Sequence, residues 1–195
     1  MKKIRQKVFE TNSSSTHVLT VSESSEYPCY ENKTLIDAIE DGMLVFDGGE
    51  FGWWHEESPL NTSYWKANYV AVALSYLNNW WFSYNDNFFL KEVITDENIL
   101  KVKNDIKNIF ENLLKRETGC KDIKYKFTIS WEDEINDDVN FACIDHQSVD
   151  ELYSEFMVYH GFNIDLTINE DNIEKYLFDL IFRQNSYITI SNDNN

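Results

Sequence analysis

Glycine and proline are scarce in this chain, six and two among 195 residues. That shortage excludes a collagen-like repeat and a flexible linker, which need both in bulk. Cys29, Cys120 and Cys143 are odd in number and widely spaced, so neither a disulfide framework nor a zinc knuckle is expected. Positive charge is the third shortage: 17 Lys and Arg stand against 34 Asp and Glu, a formal charge of −17. No apolar run approaches the roughly 18 to 20 residues of a membrane span. Met1-Lys2-Lys3-Ile4-Arg5 is not followed by an apolar signal core, and a soluble, cytoplasmic protein is expected. What the chain holds in quantity is apolar and aromatic side chains, 43% and 15%. They exclude a disordered acidic tail and suffice, at this length, for one domain over residues 1–195.

The acid is laid out in blocks. From Glu132 to Glu174 there are thirteen Asp or Glu and no Lys or Arg; from Glu23 to Thr62 there are ten acids and one base, Lys33. Bases gather at Lys2, Lys3, Arg5 and Lys7, and eight more lie between Lys101 and Lys126. Nucleic-acid binding rests on neutralising phosphates, so direct binding of DNA or RNA is not expected. Such a surface keeps a protein soluble. It also attracts basic partners and speeds their encounter.

Periodicity gives the elements. Lys7 to Glu10 and His17 to Val21 pattern as two short strands joined by the polar loop Thr11 to Thr16, a hairpin over about 5–22. A short helix is predicted from Thr34 to Asp41 with Gly42 as its left-handed end, then a strand from Met43 to Phe46. Trp65, Tyr69, Val72, Ala73 and Tyr76 mark a buried helix over about 62–78. Trp80 to Leu90 suits either a strand or a helix. Asp96 to Arg116 is the clearest helix, with Ile99, Val102, Ile106, Ile109, Phe110 and Leu113 on one face, lysines opposite, and Gly119 ending it. Ile123 to Trp131 and Val139 to Asp145 are strand-like. Ser148 and Glu151 have capping-box spacing ahead of another helix. A last helix runs from Thr167 to about Arg183, followed by a strand from Tyr187 to Ser191 and a frayed tail over 192–195. Helices and strands mix without regular βαβ alternation, so the expected class is α+β: a mixed or antiparallel sheet with about four to five helices.

Two stretches carry candidate chemistry. Phe9-Glu10-Thr11-Asn12-Ser13-Ser14-Ser15-Thr16-His17 packs five hydroxyls, an amide, a carboxylate and an imidazole into nine residues. Hydroxyls and free loop amides can surround a phosphate or ribose, and His17 can move a proton. The same residues are also ordinary turn material. Asp145-His146-Gln147-Ser148 stands where a strand hands over to a helix. An aspartate there can orient the histidine ring, and a helix start favours anions. His146-Gln147-Ser148 has the His-x-Ser spacing that two-histidine phosphoesterases use twice, but His17 is followed by Val18-Leu19-Thr20, one residue out of register. His55 has no second histidine four residues on, and His160 precedes Gly161 at a helix end. No metal site and no cofactor are expected, and no phosphate-binding glycine loop or dinucleotide fingerprint is present.

Arg5 to His17 resembles the opening of a family of uncharacterised proteins from phages and low-GC bacteria. Gly49-Glu50-Phe51-Gly52-Trp53, Lys66-Ala67-Asn68-Tyr69 and Ile144-Asp145-His146-Gln147-Ser148 resemble its later motifs. The four patches cover about a fifth of the chain. The residue after His17 departs from the pattern: Val18 stands where the resemblance implies a serine. The resemblance brings no established activity, but implies a phage-type accessory or anti-defence role in the host cytoplasm. It also implies that polar patches far apart in sequence serve more than packing. Glu10, Asn12, Ser13, Ser14, Ser15, Thr16, His17, Glu50, Asp145 and His146 are therefore expected to line one pocket. There the hydroxyl loop and Glu50 hold a nucleotide-like phosphate ligand, while His17 and His146, with Asp145 and Glu10, do any proton chemistry. The rival expectation is a non-enzymatic, anti-CRISPR-like inhibitor. Its carboxylates Glu132, Asp133, Glu134, Asp137 and Asp138 would occupy the nucleic-acid groove of a basic host defence protein, with Trp131, Phe141 and Tyr153 as aromatic anchors.

Overall fold

The structure, a computed structural model, describes residues 15–21, 33–51, 60–76, 96–129, 139–144 and 169–192. Helix α1 (Ser63–Ser75) begins where Thr62, in extended conformation, accepts the Trp65 amide on its side-chain oxygen, satisfying one of the helix's first free donors. From Lys66 to Leu74 every residue is buried. A helix enclosed on all sides belongs at the centre of a fold. Two amphipathic helices share its core: α2 (Asp96–Thr118) turns Ile106, Phe110, Leu113 and Leu114 inward, and α3 (Glu170–Phe182) turns in Ile173, Leu177, Leu180 and Ile181. Asn169 caps α3 by accepting the Asn172 amide. Gly119, at φ +72°, ends α2 as expected, its amide donating to the Lys115 carbonyl at 2.9 Å.

The segment from Thr34 to Asp41 corrects the sequence reading. Thr34 and Asp37 form a reciprocal cap: the Thr34 amide and hydroxyl donate to the Asp37 carboxylate at 2.8 and 2.7 Å, and the Asp37 amide donates to Thr34 Oγ1 at 3.4 Å. Only one 3-10 turn follows (Ile36–Ala38), and the chain then extends as β2 (Ile39–Glu40). Asp41 and Gly42 have φ +51° and +82°. Two successive left-handed residues make the tight turn that matches the twist of a hairpin, and β2 pairs antiparallel with β3 (Met43–Phe46) across it. The left-handed glycine is there, but it turns a hairpin rather than ending a helix.

β1 (Ser15–Val21) pairs antiparallel with β9 (Ser186–Asn192) along seven residues, and Leu60 bridges the other side of β9 at Ile188. Elsewhere three chain segments run parallel and exchange partners. β3 pairs with β5 (Asp122–Tyr125); beyond Phe46 and Tyr125 the two part. Residues 140–144 enter the gap: β7 (Asn140–Phe141) pairs with β6 (Phe127–Thr128), and β8 (Cys143–Ile144) pairs with β4 (Glu50–Phe51). The divergence occurs at Gly48, with φ +74°. A Cβ there would lie 2.6 Å from the Phe127 Cβ and 2.8 Å from the Ala142 Cβ, so only glycine fits where the segments meet. Its peptide groups are held from α1: the Gly48 amide donates to Asn68 Oδ1 at 3.2 Å, and its carbonyl accepts from Asn68 Nδ2. Asn68, fully buried, replaces the strand neighbour that Gly48 has lost.

The class is α+β, built from small sheets of two or three strands. Three α-helices lie among the described residues, fewer than the four to five expected. The helix expected after Ser148 and the ambiguous Trp80 to Leu90 lie outside the described residues. Among those residues no helix is long and apolar enough to cross a membrane.

Candidate functional site

Of the expected site residues, Ser15, Thr16, His17 and Glu50 are described. Glu10, Asn12, Ser13, Ser14, Asp145 and His146 lie outside the described residues, as do Glu132, Asp133, Glu134, Asp137 and Asp138. Ser15 and Thr16 are strand residues rather than loop residues. They register with Asn192 and Ser191, and His17 with Ile190. The seven residues of β9 extend the ladder two positions further toward the N-terminus than the alternation of His17 to Val21 indicated.

Glu50 is exposed on β4, paired in register with Cys143, and Phe51 is buried beside Ile144, the residue that leads into Asp145. Phe51 meets the Tyr69 ring edge-on at 5.4 Å between centroids. Members of three of the resembling patches therefore touch or pair: Glu50 and Phe51, Tyr69, and Ile144. They do so toward the carboxyl ends of two parallel strands, at a point where strand order changes. Burial, then the Glu50 carboxylate, raises the Cys143 thiol above its ordinary value, so it is a poor nucleophile at neutral pH. The Tyr76 hydroxyl donates to the Ala142 carbonyl at 3.1 Å. Burial first, and then the neighbouring Cys143 charge, pushes that phenol up to about 12.

The patch on α1 supplies residues whose roles periodicity did not show. Lys66, buried to 1% exposure, donates from Nζ to the Arg183 carbonyl at 3.0 Å, the Ser186 carbonyl at 3.1 Å and Ser186 Oγ at 2.7 Å. It ties α1 to the end of α3 and the start of β9, the strand that pairs with His17. In the sequence Lys66 and Asn68 showed as a lysine and an asparagine inside an otherwise apolar helical run, and as members of the patch Lys66 to Tyr69. At the strand divergence, Asp47 accepts from Tyr64 Oη at 3.1 Å and from Lys33 Nζ at 3.3 Å. Burial acts to lower the Lys33 ammonium, but Tyr64 and then Asp47 hold it above the ordinary lysine value. Asn140 Nδ2 donates to the Asp47 carbonyl at 3.1 Å, so this cluster clamps the junction from outside.

A cleft of about 330 Å³ opens between the C-terminal end of α1, α2 and the β5–β6 segment. Lys103 and Lys107 line it with Ser75, Tyr125, Phe127 and Thr128. The sequence placed the lysines of α2 on its outer face, but both of these are half-buried. Lys107 Nζ stands 4.9 Å from the Tyr125 ring centroid and 3.7 Å from Glu111 Oε1. Lys103 Nζ reaches the Ser75 carbonyl at 3.5 Å. Phe141, one of the three expected anchors, is half-buried in β7; Trp131 and Tyr153 lie outside the described residues. Among the described residues no group of three or more His, Cys, Asp or Glu is placed to hold a metal ion. Comparison with protein-family models, curated proteins and solved structures gives no match.

Proposed function

We infer that the chain binds a nucleotide-like phosphate ligand in a polar pocket at the carboxyl ends of β4 and β8. The parallel register Glu50 to Cys143 and Phe51 to Ile144 carries this reading. It sets the Glu50 strand beside the strand that runs directly into Asp145 and His146. In a chain of charge −17 a phosphate meets a repelling field, so its site must supply donors locally. Asn12, Ser13, Ser14, Ser15 and Thr16 are the proposed donors, with Glu50 accepting from ribose hydroxyls or a base amine. His17 and His146, the latter oriented by Asp145, form an acid–base pair capable of phosphoryl transfer or cleavage, with Glu10 as a further carboxylate. The resemblance to phage proteins makes an accessory, anti-defence role the biological setting of this proposal. Thermal melting with mononucleotides and cyclic dinucleotides tests it. A ligand at 100 times its dissociation constant adds about 2.7 kcal/mol, and His17→Ala and His146→Ala should each diminish the shift. A melt that no nucleotide moves would remove the proposal.

A second reading rests on the described end of the acidic run. Glu170 and Asp171 are exposed and form no ion pair among the described residues. An inhibitor acting through such a surface would hold a basic host protein by its carboxylates, Glu132, Asp133, Glu134, Asp137 and Asp138 among them. Under this reading no nucleotide shifts the melt, and reversing those five charges abolishes capture of the partner.

A further inference from the structure

We propose that the cleft between α1, α2 and the β5–β6 segment is a binding site for a small organic anion with an apolar ring, held by Lys103 and Lys107. No residue of the pocket described above lines it, so the inference stands apart from that reading. Lys103 and Lys107 are four residues apart on one helix face, where like charges repel. Long lysine stems ordinarily carry the ammonium out to water. Here both groups are half-buried and turned toward the cleft, Lys107 over the Tyr125 ring and Lys103 toward the carbonyl end of α1. The end of α1 favours the Lys103 cation, and Glu111 and the Tyr125 ring face that of Lys107. Glu111 is the one carboxylate placed by Lys107 among the described residues, and it also accepts the Tyr125 hydroxyl at 2.9 Å.

The remaining wall fits the rest of such a ligand. Leu74, Phe127 and Ile129 give an apolar surface, bordered by Ser75 and Thr128. A volume of about 330 Å³ is at the small end of sites for organic ligands. Two cations next to aromatic and aliphatic carbon select an anionic head on an apolar body. An inorganic ion would leave that surface uncovered. Burial, and then Lys107, lowers the Lys103 ammonium from its ordinary value, and an arriving anion would reverse that shift.

Phenyl phosphate, benzoate, inorganic phosphate and neutral benzyl alcohol are the probes, titrated calorimetrically into the full chain. Phenyl phosphate or benzoate should bind at least tenfold more tightly than inorganic phosphate or benzyl alcohol. The doubly neutralised Lys103→Gln, Lys107→Gln chain should lose at least tenfold in affinity, while Lys103→Arg, Lys107→Arg should lose less than threefold. Reductive methylation of the unaltered chain gives a readout independent of folding in the variants. Phenyl phosphate should slow modification of Lys103 and Lys107 but not of the exposed Lys101 and Lys124. Absence of binding by both aromatic anions, equal binding by inorganic phosphate, or equal methylation rates with and without phenyl phosphate would overturn the proposal.

Discussion

Tyr125 is caught between opposite charges: its hydroxyl donates to Glu111 at 2.9 Å, and Lys107 stands over its ring. Burial, then the Glu111 carboxylate, raises this phenol far above its ordinary value, and burial raises Tyr64 and Tyr76 as well. Above about pH 10 the unfolded chain loses tyrosine protons that the native chain keeps. The unfolded state then binds fewer protons, and stability falls as pH rises. Lys103 acts in the opposite sense, because its lowered value penalises the native state until the ammonium is lost. Urea unfolding at several values between pH 9 and 11 should show a net loss, shallower in Tyr125→Phe. Identical slopes for the two chains would show that Tyr125 does not contribute.

The junction of β3–β4, β5–β6 and β7–β8 is the element on which the candidate site depends. Gly48→Ala puts a methyl group 2.6 Å from the Phe127 Cβ and should cost about 3 kcal/mol by overpacking and left-handed strain. Gly119→Ala, also at positive φ but with nothing within 4 Å, should cost only about 1 kcal/mol. Asn68→Leu strips both Gly48 bonds and should cost about 2 to 4 kcal/mol. Equal losses for the two glycines, read by urea unfolding, would show that packing at the junction is not the cause. The inward stripes of α2 and α3 were legible because a period of 3.6 puts Ile106, Phe110 and Leu113, or Ile173, Leu177 and Leu180, on one side. Strands of the junction were legible in Met43 to Phe46, Ile123 to Trp131 and Val139 to Asp145, but their pairing was not, because alternation within a strand does not name its parallel partner. Lys66 and Asn68 gave no periodic sign of their roles, because a buried polar group is specified by its partners. Which way the α2 lysines turn is likewise set by Tyr125 and the end of α1, which come from other segments. Glu50 was legible as a patch residue, but its pairing with Cys143 was not.

At the scale of the whole molecule, the charge of −17 sits on a frame in which several of the described bases are matched locally. Lys33 pairs with Asp47, Lys115 with Asp122, Arg116 with Glu117 and Glu174, Lys126 with Glu40, and Arg183 with Asp179. Exposed pairs of this kind add little stability. The proposed pocket, with no Lys or Arg among its residues, would rely on hydroxyls, amides and histidine, and His17 and His146 lie on segments far apart in sequence. The chain has four histidines, His17, His55, His146 and His160, few enough to follow one by one. Ring-nitrogen NMR during titration with the nucleotide that gives the largest melting shift is the most direct test. The His17 and His146 rings should move together along one saturation curve while His55 and His160 stay still. Saturation with only one of the pair responding, or with neither moving, would contradict the proposed pocket.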